Sequence, residues 1–169
     1  SGACEKLEEF AQRAKIPIAF TLHGISAIPA DHPLSLGMVG MHGTVEANRA
    51  LANSDLIIAL GMRFDDRVTG NVETFGAGAK VIHVEIDPSE INKTIKTDIA
   101  LNADTAQVLT LLAKEPMLIT KTRRFWFEQI DHYRAEIADE VQKEIEIGVG
   151  QEGQLLMKTV VKTLSDVTQ

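Results

Sequence analysis

The sequence predicts an α/β domain built on a parallel, doubly wound sheet. Three features carry this expectation. Leu56–Leu60 and Lys80–Ile86 are apolar runs of strand length, segments of helical period lie between such runs, and glycines or acids stand at the runs' carboxyl ends. A strand wetted on one face alternates apolar with polar residues, whereas Leu56-Ile57-Ile58-Ala59-Leu60 is apolar throughout. Such a strand is covered on both faces, and alternation of strands with helices is the pattern of a parallel sheet.

From Glu5 to Lys15 the apolar residues Leu7, Phe10, Ala11 and Ala14 recur at helical spacing on a charged segment, giving one buried stripe. Ile16–Phe20 reads as a short buried strand with Pro17 at its start. Residues 21–41 hold Gly24, Pro29, Pro33, Gly37 and Gly40 and read as one long loop, a length usually kept for function. A helix follows from Gly43 to Ala52. The Leu56–Leu60 strand ends at Gly61, before the polar loop Met62–Arg67. The Lys80–Ile86 strand is closed by Asp87-Pro88. A weaker strand is expected at Ile99–Leu101, with Asp104 as the N-cap of a helix through Ala113.

This compact unit closes near Lys114-Glu115-Pro116, giving a first domain over 1–115. Trp126, Ile130, Tyr133, Ile137, Val141 and Ile145 then mark a long amphipathic helix, with Gly148-Val149-Gly150 as its stop. Leu155, Leu156, Thr159, Val160, Thr163 and Leu164 mark one more. These two helices carry more apolar face than a tail needs. They read as a linker over 116–151 and the edge of a further domain over 152–169, and self-association would cover them.

Composition narrows the function. The chain of 169 residues carries 17 basic and 24 acidic side chains, for a net charge of −7, which disfavours nucleic acid or an anionic membrane as main partner. No apolar run nears the ~20 residues of a membrane span. The start SGACEKLEEF has no basic region leading into an apolar one, so no signal peptide is expected. A single Cys4 excludes a disulfide framework and suits the cytoplasm. Phosphate-loop, dinucleotide-fingerprint, zinc and nucleophile-elbow motifs are absent. The five histidines lack metal-ligand spacing, so no catalytic or metal residue is assigned.

Ligand chemistry gathers at strand ends. Gly61 lets a bound group approach the backbone, and Arg63 and Arg67 suit a pyrophosphate through fork-shaped hydrogen bonds, with Asp65 and Asp66 orienting them. The same string also reads as a self-neutralising surface loop. Glu85 is placed to accept ribose hydroxyls, or is a solvated strand-end carboxylate. Val39-Gly40-Met41-His42-Gly43-Thr44 offers close backbone approach and helix N-terminal amides, or a hinge whose Met41 and His42 fill the core. Asp104-Thr105 is a fourth, weaker candidate. All four lie on one edge of one sheet, where open α/β folds bind ligands.

Leu34-Ser35-Leu36-Gly37-Met38-Val39-Gly40-Met41-His42-Gly43-Thr44-Val45-Glu46-Ala47-Asn48 closely resembles the central domain of acetolactate synthase (acetohydroxyacid synthase) catalytic subunits. So do Gly61-Met62-Arg63-Phe64-Asp65-Asp66-Arg67-Val68-Thr69-Gly70 and His83-Val84-Glu85-Ile86-Asp87-Pro88-Ser89-Glu90-Ile91. The resemblance covers about residues 1–115. It implies a Rossmann-like middle domain that binds FAD in a largely structural role. The flanking domains of such enzymes hold thiamine diphosphate and Mg2+, and join two pyruvates, or pyruvate and 2-oxobutyrate, with loss of CO2 in branched-chain amino-acid synthesis.

By this resemblance Thr21, Leu22, Val39, Gly40, Met41 and His42 line the flavin and its ribityl chain. Gly61, Met62, Arg63, Phe64 and Asp65 follow the phosphates, Glu85 and Ile86 meet the adenosine ribose, and Asp104 and Thr105 lie by the adenine. Asp66 and Arg67 match positions near the substrate channel. The resemblance also implies that one sheet strand with a Gly-rich turn precedes residue 1. Ala103 stands where relatives commonly have Gly, and residues 152–168 lead into a thiamine-diphosphate domain. The implied partners are the other domains of the chain, a homodimer or tetramer and a regulatory small subunit. The implied place is the cytoplasm, or a plastid or mitochondrion in a eukaryote. The fragment alone is expected to be inactive. The alternative is a structural or ADP/NAD-type central domain of another thiamine-diphosphate enzyme.

Overall fold

The computed structural model describes residues 2–115, 123–147 and 157–168. They fall into two compact units, Ser1–Phe127 and Glu128–Gln169. In the first, α1 (Cys4–Ala14) buries Phe10, Ala11 and Ala14, and ends at Lys15 in the left-handed conformation at φ 52°. Then come β1 (Ile18–Phe20), β2 (Ser35–Met38), α2 (Val45–Ala52), β3 (Leu56–Leu60) and the single turn α3 (Asp66–Thr69). β4 (Lys80–Glu85), β5 (Ile99–Asn102) and α4 (Thr105–Leu112) complete it.

All strand pairs are parallel, as expected, but the strands form two sheets, β1-β2 and β3-β4-β5. β2 corrects the reading of residues 21–41 as loop. It is only four residues long and contains Gly37 at φ 82°, so neither periodicity nor propensity marks it. Its partner supplies the order: Ile18 pairs with Ser35 and Phe20 with Met38, with an irregularity between. The polar loop after β3 likewise contains a helical turn, because Asp65 caps it.

Two clusters cover opposite faces of the sheet at β3 and β4, while all four residues of β5 are exposed. On one, Phe10, Ala14 and Leu109 of α1 and α4 meet Ile58 and Leu60. On the other, Ala59 and Val81 meet Phe64 and Ile95 from connecting segments, with Phe75 alongside. This second face is closed by loops around α3 rather than by a long helix. The core thereby packs β3 and β4 while their carboxyl ends stay open at a cleft.

In the second unit, α5 (Arg124–Ile147, beginning just before it) carries a Lys143–Asp139 ion pair one turn apart at 2.5 Å, and His132 Nε2 lies 3.2 Å from Glu136 Oε1 at the same spacing. Exposed pairs of this kind add a few tenths of a kcal/mol each. α6 (Met157–Val167) exposes Val160 and Leu164 of the expected apolar face, and Val161 and Val167 outside it. The expected Gly148-Val149-Gly150 stop, and Leu155 and Leu156, lie outside the described residues.

Candidate functional site

Parallel register puts the carboxyl ends of β3, β4 and β5 on one edge: Leu60 pairs with Val84, and Glu85 with Asn102. A cleft of about 610 Å3 opens there, a volume usual for small-molecule sites. Its lining runs from Leu7, Phe10 and Ala11 of α1 along β1 and Ile58–Leu60 of β3, whose outer edges are unpaired, to the strand ends. Seven of the expected site residues line it: Thr21, Gly61, Met62, Glu85, Ile86, Asp104 and Thr105.

The polar end of the cleft is built by short-range constraints. Gly61 turns the chain out of β3 at φ +58° while its amide still donates to the Val84 carbonyl at 2.8 Å. A Cβ on Gly61 would stand 3.2 Å from Thr105 Oγ1, so the glycine keeps the two strand ends close. Glu85 is only 7% exposed, and its Oε1 accepts from the Asp87 amide at 3.1 Å. Asn102 Nδ2 donates to the carbonyls of both Glu85 and Ile86 at 2.9 Å, fixing the end of β4. Asp104 caps α4 by accepting from the Gln107 amide at 3.1 Å. Thr105 then opens that helix at the cleft. Just beyond, Asp87 accepts from the Ser89 hydroxyl at 2.7 Å and the Ser89 amide at 2.9 Å. These bonds, the hydroxyl's first, hold its carboxyl below the ordinary carboxylate range.

The other expected residues lie on two loops beside the cleft. Asp65 Oδ1 accepts from the amides of Arg67 and Val68, both at 3.1 Å, so it caps α3 instead of orienting a guanidinium through that oxygen. Asp66 and Arg67 are 4.0 Å apart and both exposed, too loose a pair to neutralise the loop. Arg63 is exposed, and its guanidinium has no hydrogen bond or ion pair recorded among the described residues. Phe64 is buried, its ring edge-on to Phe75 and His83 with centroids 5.8 and 4.9 Å away. Its side chain is a core group.

Val39 is buried, and its amide donates to the Phe20 carbonyl at 2.8 Å. Met41 is 62% exposed and His42 is exposed, which removes the reading that they fill the core. Leu22 is exposed as well. The Gly40–Thr44 turn is shaped from within. Asn48 Oδ1 accepts from the Gly40 amide at 2.9 Å and its Nδ2 donates to the Gly40 carbonyl at 3.0 Å. Thr44 Oγ1 donates to the Leu36 carbonyl at 2.6 Å and accepts from the Ala47 amide at 3.3 Å, capping α2. Asn48 and His83 shape the site yet were not among its expected residues. Both lie inside motifs quoted above, but their role depends on tertiary contacts that no spacing encodes. His23 and Ser26 also line the cleft unforeseen.

The cleft thus joins a buried carboxylate at the end of β4, a hydroxyl at the start of α4 and a glycine turn, with two arginines on the adjoining loop. The family described as thiamine pyrophosphate enzyme, central domain, matches residues 1–112. The chain belongs to that family. Among its relatives, the probable acetolactate synthase large subunit of Methanocaldococcus jannaschii is 49% identical over 131 residues, 77% of this chain and 22% of the relative. The acetolactate synthase isozyme 3 large subunit of Escherichia coli is 41% identical over 140 residues, 80% of this chain and 24% of the relative. The probable acetolactate synthase 2, chloroplastic, of Oryza sativa subsp. japonica is 51% identical over 107 residues, 61% of this chain and 16% of the relative. The chain thus spans under a quarter of the length of these relatives. Among the described residues of this central domain, no group of three or more His, Cys, Asp or Glu side chains is arranged to hold a metal, and no helix is long and apolar enough to cross a membrane.

Proposed function

We propose that this chain is the flavin-framing central domain of an acetolactate synthase large subunit. The whole enzyme would condense two pyruvates, or pyruvate and 2-oxobutyrate, with loss of CO2, on thiamine diphosphate and Mg2+ held by its other domains. The observation that carries the reading is the cleft itself, with Glu85 buried at the end of β4, Gly61 beside Thr105, and Arg63 and Arg67 on the adjoining loop. These groups fit FAD. Glu85 would accept the adenosine ribose hydroxyls, the Gly61 turn and Arg63 would meet the phosphates, and the Val39–His42 loop would follow the ribityl chain and ring. Bound flavin would fill the channel wall and stiffen it, a positional rather than redox contribution.

The unpaired edges of β1 and β3 line the long side of this cleft, where a further parallel strand would fit, so the ligand is assigned to the strand-end part alone, at Thr21, Gly61, Met62, Glu85, Asp104 and Thr105. Subunit partners and the cellular place belong to the same proposal. A homodimer or tetramer with a regulatory small subunit fits relatives named large subunits, and a plastid fits those named chloroplastic.

Flavin fluorescence during titration of the chain with FAD tests the proposal, with ADP and NAD as competitors. Saturable quenching, relieved weakly by ADP and not by NAD, supports it. Equal competition by ADP and FAD favours an adenosine-only site, the alternative suggested by the clustering of Glu85, Asp104 and Thr105 at one end. No quenching overturns flavin binding by this chain on its own.

A further inference from the structure

We propose that His83 is a positioning residue whose buried imidazole sets the strand-end loop Met62–Arg67. His83 sits in the middle strand of its sheet, paired with Ala59 of β3 and Ala100 of β5. Two alanines in register leave room for a ring between them, and His83 is fully buried there. Its Nε2 lies 2.9 Å from the Met62 carbonyl oxygen. A carbonyl only accepts, so Nε2 carries the proton and donates. Nδ1 is buried and has no hydrogen-bond partner among the described residues.

That arrangement is costly unless the single bond matters. A leucine or phenylalanine would fill the same space without burying an unpaired ring nitrogen. What the imidazole adds is a donor for Met62. Once Gly61 turns the chain out of β3, the Met62 carbonyl points away from the sheet ladder, and His83 supplies its partner. The same ring lies edge-on to Phe64 at 4.9 Å, so one side chain holds two residues of the loop.

The consequence travels outward through hydrogen bonds. The loop continues to the Asp65 cap of α3, and the Arg67 carbonyl at the end of that path accepts from the Met41 amide at 2.9 Å. His83 thus stands at the root of a connection between the loop after β3 and the loop after β2. Its effect on flavin affinity rests on the function proposed above. Its effect on the loop does not.

The first test needs no variant. Side-chain 1H–15N NMR of the chain should show His83 as the Nε2–H tautomer, and a proton on Nδ1 alone would overturn the proposal. The second compares His83→Leu with His83→Gln, whose amide nitrogen reaches the Nε2 position. His83→Leu should speed amide hydrogen exchange at Met41 and Val68 about tenfold, the cost of one buried hydrogen bond, while His83→Gln stays close to the parent. Neither amide bonds to His83 itself, and a simple packing defect at the ring would not be relieved by glutamine. Unchanged exchange at Met41 in His83→Leu, or equal acceleration in both variants, overturns the proposal. In parallel, FAD affinity should fall about tenfold in His83→Leu and recover in His83→Gln. If the parent chain does not bind FAD, the flavin reading fails while the exchange data still decide the role of His83.

Discussion

The amide of Met41 donates to the carbonyl of Arg67 at 2.9 Å, tying the loop that leaves β2 to the short helix after β3. The side chains meet again, with Arg67 Nη1 3.7 Å from Met41 Sδ. These residues are 26 positions apart and follow strands of different sheets. The two strand-end loops therefore behave as one frame beside the cleft.

Gly40 is where this frame tolerates least. Its φ of +107° is strained for any L side chain, and a Cβ would run into the Arg67 carbonyl and lie 3.0 Å from Val68 Cα. Gly40→Ala is expected to destabilise the first unit by about 1–3 kcal/mol through backbone strain alone, with the clash adding to it. Urea denaturation followed by far-UV circular dichroism would show a lowered midpoint. An unchanged midpoint would mean that the two loops separate freely.

Asn48 makes two bonds to the same glycine, one as acceptor and one as donor. Asn48→Ala leaves both Gly40 groups without this partner and should cost about 1–3 kcal/mol. Asn48→Asp is the sharper variant, because its carboxylate accepts from the amide but opposes the Gly40 carbonyl. Thermal melts should rank the parent above both variants, with Asp no better than Ala. Parent-like stability in Asn48→Asp would show that only the amide bond counts.

Much of the fold was legible because its strongest elements report their own surroundings. The apolar run Leu56–Leu60 and the Asp104 cap of α4 can be read locally, and both stand where the pattern puts them. β2 could not be read, since Ser35-Leu36-Gly37-Met38 has neither alternation nor length and takes its form from pairing with β1. The candidate site divides the same way. Gly61, Glu85 and Thr105 follow from their places at strand ends and meet in one cleft. The core burial of Phe64 and the anchor at His83 depend on contacts between β4 and the loop after β3, which charge and spacing do not specify, whereas the Asp65 cap is local, made with the amides two and three residues on.

Leu109 links the helical layer to the sheet. It is fully buried among Phe10 and Ala14 of α1, with Ile58 and Leu60 packed against that cluster. Leu109→Ala should cost about 2–5 kcal/mol, the range for a buried leucine whose surroundings cannot collapse onto the cavity. Since Ile58 and Leu60 also line the cleft, the same change should weaken FAD binding without touching a polar group. Denaturation and titration of one preparation would measure both. A large loss of stability with unaltered affinity would separate the helical layer from the site.

Asp87 gives the pH dependence whose sign is fixed by the structure. Its carboxyl is held below the ordinary range by the Ser89 hydroxyl first and the Ser89 amide second, with Lys93 adding a smaller attraction. A lowered folded value means that the carboxylate is favoured by folding. The stability it contributes is complete above the unfolded carboxylate value and is lost as pH falls through the folded one. Carboxyl 13C NMR should place the Asp87 titration below that of an unstructured aspartate. Ser89→Ala removes the 2.7 Å hydroxyl bond but keeps the 2.9 Å amide bond, so the midpoint should rise part of the way. Raising the ionic strength should move it far less, because salt screens only the Lys93 attraction. A midpoint that follows salt and ignores Ser89→Ala would assign the shift to charge instead of to the turn that closes β4.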